Sequence, residues 1–329
     1  MGDWTIERYS TGRKEEWDGF ARMARNSSFI FLRDYMDYHS DRFTDCSLMA
    51  FHKGKLRALL PADIKDDILA SHRGLTYGGW VLAPHKTDGT AMMDLFDCWL
   101  QWCRSAGIRE TVYKPLPYIY ALEPSQEDLY ALWRHGFTLD CTNLSSTIRN
   151  GEFAPDTMRR RHLRHADTLG IRVGESDDFD SFWEILEGCL QERHNALPVH
   201  TIAEIKLLHS RFPDNIRLFA TFTADGSSSA ETCGTGCDGS LSMESGTVVF
   251  DNGITAHCQY IASTERARRE HHLAQLFRQL VTGTFASRPY FDFGTSNEND
   301  GNLLNAGLLA NKFGYGATGV AYQRYRLQL

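Results

Sequence analysis

"YFDFGTSNENDGNLLNAGLLANKFGYG" (290–316) opens with the apolar character of a buried strand and closes as an apolar helix stopped by Gly314. Between them stand six consecutive polar residues, Thr295, Ser296, Asn297, Glu298, Asn299 and Asp300. In α/β sheets, ligands gather at the carboxyl ends of strands, which is where this crossing falls. Asn299 or Asp300 is expected to cap a helix over 300–313. One cap cannot employ all the polar groups, so Asp292, Asn297 and Asn302 are candidates for holding an acceptor, with Glu298 a candidate general base. Lys312 either neutralises a phosphate or carboxylate of a ligand or simply complements the negative end of its helix.

Upstream, "ITAHCQYIAS" (254–263) reads as a strand in which His257, Gln259 and Ile261 alternate with Cys258 and Tyr260. One of these sets faces the core. A buried Gln259 without a partner costs about 1–3 kcal/mol, and a cleft would explain its presence. Backbone N–H groups near Tyr260 would be suited to hold a carbonyl oxygen where two strands splay apart. His257 is a second candidate general base, or equally a satisfied core histidine. The next helix is expected to run from 266 to 284. Arg266, Arg268 and Arg269 at its start would bind phosphate oxygens, or else form a solvated basic turn balanced by Glu265 and Glu270.

The 329 residues suggest about two domains. A hydrophobic share of 42% with 23% charged residues fits a folded globular protein and argues against disorder. The net charge of −7 argues against whole-surface attraction to nucleic acid or to an anionic membrane, while leaving room for a local basic patch. The start, MGDWTIERYS, has no apolar core of a signal peptide, and no apolar run of about 18 residues occurs, so a cytoplasmic protein without membrane insertion is expected. The eight cysteines are expected to be reduced and mostly buried. Cys233 and Cys237 flank Gly-Thr-Gly, but their spacing is unusual and no second ligand pair accompanies them, so no metal is expected.

Elements of the first half are read as a strand at 4–9, helices at 14–25 and 32–40, a hairpin over 47–62, a strand at 67–71, a helix at 90–105, a strand at 108–114, a helix at 125–135 and a strand at 138–149. The second half returns to a similar order, with helices at 156–168, 178–193 and 201–211, then strands at 215–223, 246–250 and 254–262, and a last strand at 317–327. Thr201 and Glu204 suggest a capping box. A boundary is expected near 150–155, giving domains 1–150 and 151–329. The Gly- and Ser-rich stretch 225–244 is read as a surface loop, not a site. In "HRGLTYGG" (72–79), Tyr77 sits among glycines, either at a tight turn or at a place of close ligand approach, and is a further candidate acceptor contact. "MRRRHLRHA" (158–166) is the most basic segment, fit either to meet phosphates or to face solvent. "YKPLPYIY" (113–120) reads as a rigid packed loop.

This order of elements, with "ITAHCQYIAS" as central strand and "YFDFGTSNENDGNLLNAGLLANKFGYGA" as last strand–helix unit, resembles the GNAT fold of acyl-CoA N-acyltransferases, and the duplication resembles the FemABX branch. "LRDYMDYHSDRF", "HRGLTYGG" and "YKPLPYIY…PSQEDLYALWRHGF" resemble a bacterial acyltransferase-like group. The resemblance implies an α/β fold of two tandem GNAT-like domains, each a mixed sheet flanked by helices. It implies transfer of an acyl group from an activated donor, acyl-CoA or another, to an amine on a small molecule or an envelope precursor. Gln259, Tyr260, Ile261, Arg266, Arg268 and Arg269 would then meet the donor. GNAT enzymes that use acetyl-CoA carry a glycine-rich loop before the long helix; here "STERARREHHLAQLF" (263–277) has no glycine. FemABX-type transferases, which take aminoacyl-tRNA, also lack that loop. Two alternatives follow: a FemABX-type aminoacyl-tRNA-dependent transferase, and a non-catalytic binding protein on the same fold.

Overall fold

The computed structural model describes residues 3–149, 151–194, 197–224 and 241–329. Residues 225–240 of the expected surface loop, with Cys233 and Cys237, and Asn150 at the expected boundary lie outside the described residues, whereas 241–244, read as the end of that loop, begin the strand Leu241–Asp251. The chain forms two compact units. Unit 1 comprises 1–145, 295–305 and 319–329; unit 2 comprises 146–294 and 306–318. The expectation drew one boundary near 150–155. The compact units divide the chain differently, because two C-terminal segments find their contacts in the N-terminal unit.

In unit 1 the hairpin of Leu48–His52 and Lys55–Leu60 turns through Lys53 and Gly54, both at positive φ, and is joined by Trp4–Arg8 and Val81–Leu82 into an antiparallel sheet. The helix Gly89–Ser105 begins where Asp88 accepts a hydrogen bond from the Ala91 N–H at 2.9 Å. Its buried residues Met92, Leu95, Phe96, Trp99, Leu100 and Cys103 recur at three- and four-residue spacing, the stripe an amphipathic helix presents to a core. Trp80, Tyr113 and Phe137 join them. Full burial of each large apolar side chain contributes about 1.5–3 kcal/mol. Also in unit 1, Glu110–Tyr113 lies between residues 325–328 of the last strand, Thr318–Gln328, paired antiparallel, and Ile68–Ala70, paired in parallel.

Unit 2 carries an antiparallel run of Arg172–Ser176, Ile216–Ala224, Leu241–Asp251 and Thr255–Ser263, the last of which pairs in parallel with Tyr290–Thr295. The interior is aromatic, with Phe219, Phe277, Phe285, Phe291, Phe293 and Tyr315 in one cluster. Thr201 and Glu204 make the reciprocal capping box expected of them.

Two expected helices change. The long helix over 266–284 is interrupted: Glu265–Glu270 ends at His271, which adopts φ 62° and ψ 36°, and His272–Gln279 resumes before a wide turn at Leu280–Thr284. The break lets the His271 ring stack on His162 at 3.6 Å between centroids, while His272 turns inward to Thr221 and Glu270. The helix expected over 300–313 starts only at Ala306. The polar run before it forms a small hairpin of Asn297–Glu298 against Leu303–Leu304, turning through Asn299, Asp300 and Gly301, all at positive φ. Asn299 and Asp300 are therefore turn residues and not helix caps, and the Asp300 carboxylate instead meets Arg324 at 2.6 Å.

Candidate active site

The strand Thr255–Ser263 holds the centre of the candidate site. Against Leu241–Asp251 its register slips by one residue: Val249 faces Cys258, Val248 faces Tyr260, and Gln259 between them has no opposite number. This is a β-bulge, which bends the strand and re-aims its side chains. On the other side, pairing with Tyr290–Thr295 covers only Thr255–His257 against Tyr290–Asp292, although the strand continues to Ser263. The bulge and the end of the parallel ladder thus fall within two residues of each other.

At the last paired position His257 Nδ1 lies 2.6 Å from Asp292 Oδ2. Asp292 is fully buried, and its other oxygen accepts from the Thr147 hydroxyl at 2.6 Å. A buried carboxylate needs hydrogen-bond partners of this kind. With Nδ1–H given to Asp292, a neutral His257 carries its lone pair on Nε2. The His257 side chain keeps 12% of its exposure. Two residues past Asp292, Gly294 at φ 78° offers its carbonyl to Lys312 Nζ at 2.8 Å. Lys312 is buried, and burial pulls its pKa down to about 8 despite the opposing pull of Asp292 and Cys258. Burial also raises the Cys258 thiol to about 12, so it is no nucleophile at neutral pH.

The structure therefore brings His257, Asp292 and Lys312 together in unit 2. Gln259 sits at the bulge half-buried and hydrogen-bonds Tyr260. Tyr260 is buried, its hydroxyl 2.6 Å from His200 Nδ1, and burial raises its pKa to about 12. Ile261 packs beside the aromatic cluster. The three arginines are engaged: Arg266 with Glu270 at 3.2 Å and Glu244 at 3.4 Å, Arg268 with the Ser263 carbonyl at 2.8 Å, and Arg269 with Glu265 at 2.6 Å. The first turn of their helix is capped by the Thr264 hydroxyl, which accepts from Ala267 N–H at 3.1 Å.

The remaining candidates belong to unit 1. Asn297 Oδ1 accepts from the Leu144 N–H at 2.6 Å, Glu298 accepts from Asn305 at 2.8 Å, and Asn302 donates to the Asn299 carbonyl at 2.9 Å. These are bonds that hold the hairpin. Tyr77 is buried, with its hydroxyl 3.2 Å from Ser28 and its ring 4.4 Å from that of Tyr120. A Cβ added at Gly79 (φ +80°) would stand 2.7 Å from the Tyr113 hydroxyl, so that glycine admits a close packing contact. The basic helix Thr157–Ala166 buries Arg159 over the Tyr315 ring at 5.0 Å, and Arg160 folds back on Pro155 and Thr157. Among the described residues no group of three or more His, Cys, Asp and Glu is placed to hold a metal ion, and no helix is long and apolar enough to cross a membrane.

Thr147 and Gly294 were not legible as site residues. Each acts through a partner distant in sequence, 145 residues away for Thr147 and Asp292.

No protein family matches the chain by sequence, and no curated protein matches it significantly. Solved structures do. FemX superposes with a TM-score of 0.68 at 13% identity, over 99% of this chain and 97% of its own. The fold is a duplicated GNAT-like fold of the FemX kind. L-PGS from Bacillus licheniformis follows this GNAT-like chain at a TM-score of 0.58 and 10% identity, covering 100% of this chain and 93% of its own. A tandem GNAT protein from the clavulanic acid biosynthesis pathway does so at 0.50 and 11%, covering 99% and 98%. The mixed α/β architecture expected from the sequence is thus present among the described residues. At these identities the likeness speaks for the fold alone.

Proposed function

We propose that this GNAT-like chain is an N-acyltransferase whose chemistry takes place in unit 2, beside the bulge at Gln259. The observation that carries the reading is the coincidence of three features within a few residues: the bulge, the end of the parallel ladder, and the buried His257–Asp292 pair.

In this reading the carbonyl of an activated acyl donor lies along the unpaired side of 258–263. Backbone N–H groups there hold its oxygen as negative charge develops during attack by an amine. His257 Nε2 accepts the proton that the amine sheds as the C–N bond forms, and returns it to the leaving group as the bond to the donor breaks. Asp292, itself fixed by Thr147, keeps the ring oriented and stabilises the imidazolium. Lys312 braces the chain after Asp292 through the Gly294 carbonyl. The base is thus His257; Glu298 is held by Asn305 within its hairpin.

Acetyl-CoA does not fit the usual way. A pyrophosphate cradle needs backbone N–H groups presented without side chains, and 263–277 contains no glycine. The helix start is already capped by Thr264. The donor proposed is therefore an activated acyl or aminoacyl ester. Aminoacyl transfer from tRNA to a cell-envelope amine, as in FemABX-type enzymes, is the specific form that these features favour.

Thermal unfolding of the full chain with aminoacyl-tRNA or an aminoacyl-adenosine analogue tests this. Hundredfold excess over Kd stabilises by about 2.7 kcal/mol. A shift with these ligands and none with acetyl-CoA is expected. A shift with acetyl-CoA alone would overturn the donor assignment, and no shift with any acyl donor would favour a non-catalytic binding protein.

A further inference from the structure

Unit 1 contains a cavity of about 340 Å³ lined by Ile68, Ala70, Arg73, Val112, Lys114, Arg324 and Arg326. Its origin is visible in the register. Arg326 stands opposite Val112, and Val112 opposite Ala70, so one row crosses three strands. Ile68 and Arg324, two positions along their own strands, share that face. The outcome is a wall with an apolar side and a cationic side: every polar residue in the lining is positively charged.

The carboxylates that partner these cations stand outside the lining. Asp63 is buried behind Arg73, accepting from both its guanidinium and its backbone N–H. Asp140 bridges Arg324 at 2.5 Å and Arg326 at 3.0 Å, while Asp300 takes Arg324 at 2.6 Å and Glu110 takes Arg326 at 2.6 Å. These contacts fix the guanidinium planes without filling the space between them. Lys114 differs from the arginines. Its ammonium donates to the Leu75 carbonyl, and no ion pair joins it to a carboxylate among the described residues. Burial first, and then Arg324 and Arg73, push its pKa down to about 8, against the pull of Asp63. An ammonium held in this way gains most from an anion brought into the cavity.

We propose that this cavity is a binding site for a small phosphomonoester with an apolar organic part, its phosphate met by Lys114, Arg73, Arg324 and Arg326 and its apolar part lying on Ile68, Ala70 and Val112. Several fixed cationic donors lining one cavity suit the three oxygens of a phosphate, and guanidinium forks match its geometry. The inference does not rest on the acyl-transfer reading, whose residues lie in unit 2.

Calorimetric titration of the full chain with phenyl phosphate, inorganic phosphate and benzoate tests it. The proposal expects phenyl phosphate to bind at least tenfold more tightly than either of the others. Lys114→Met should weaken it tenfold or more, with an unchanged melting temperature in the absence of ligand as the control for folding. Ile68→Phe, which narrows the apolar wall and leaves every charge in place, should weaken phenyl phosphate and leave inorganic phosphate unaffected. Binding of benzoate as tight as that of phenyl phosphate would overturn the choice of phosphate. Equal affinity for inorganic phosphate would overturn the apolar subsite. No binding of phenyl phosphate, or the same affinity in both variants, would overturn the site altogether.

Discussion

His257 Nδ1 lies 2.6 Å from Asp292 Oδ2, at the last position where their two strands pair in parallel. The ladder supplies the geometry: opposite residues in adjacent strands sit close enough for side chains to bond, and here the pair is a histidine and a fully buried carboxylate. If His257 is the base, His257→Gln should lower kcat about 10²–10⁴-fold, the usual span for loss of a general base. Asp292→Asn, of nearly equal shape, should lower kcat with little change in KM for donor. Steady-state kinetics on folded variants decide this, and a His257→Gln protein as active as the wild type would remove the histidine from the mechanism.

Lys312 makes stability depend on pH. Its pKa falls from 10.5 to about 8 in the folded chain, chiefly through burial. The unfolded chain therefore binds more protons between those values, and stability rises with pH across that window. The full cost is carried below the folded pKa and disappears above the unfolded one. Compared with Lys312→Met, the wild type should gain on the order of a few kcal/mol between neutral pH and pH 10.5. Urea titrations of both proteins across that range measure the difference, and parallel curves would contradict the burial of the ammonium. Lys114, also shifted, is common to both proteins and cancels.

Gly316 should not tolerate alanine. Its φ is +92°, and an added Cβ would stand 2.9 Å from the Ala154 nitrogen and 3.0 Å from its oxygen. Backbone cannot give way as a flexible side chain does. Gly316→Ala is expected to cost about 1–3 kcal/mol in denaturant unfolding, whereas Gly283→Ala, with nothing within 4 Å, should be near neutral or stabilising.

The Tyr260 hydroxyl serves His200 twice, meeting Nδ1 at 2.6 Å and accepting the backbone N–H at 3.2 Å. Tyr260→Phe leaves both buried groups without that partner and should destabilise by about 1–3 kcal/mol. If Tyr260 is structural and only its backbone meets the donor, kcat should hold in the folded variant. A large fall in kcat with unchanged stability would make the hydroxyl itself part of the chemistry.

Much of the local structure was legible because its signals are local. Asp88, Thr201 with Glu204, and Asp156 cap the helices that the pattern placed after them. The two failures have physical causes that patterning does not carry. His271 could take a left-handed conformation because His162, 109 positions earlier, offers its ring to stack on. The polar run at 295–302 read as a cap and a ligand shelf. It became a hairpin because Asn297 found the Leu144 N–H, 153 residues away, and Arg324 found Asp300.

By itself the sequence determined the alternation of strands and helices, the amphipathic stripes that fill both cores, the duplicated α/β order, and the lack of a glycine cradle before 277. These follow from periods of two and 3.6 and from the special freedom of glycine, which are properties of neighbouring residues. Only the tertiary structure decided that Asp292 lies beside His257 and Thr147, that Gln259 is the extra residue of a bulge, that Lys312 is buried on Gly294, and that four cations from three segments line one cavity. Those relationships depend on strand register and on the burial that follows from it. Register is fixed by the packing of whole faces, and no short window of sequence contains it.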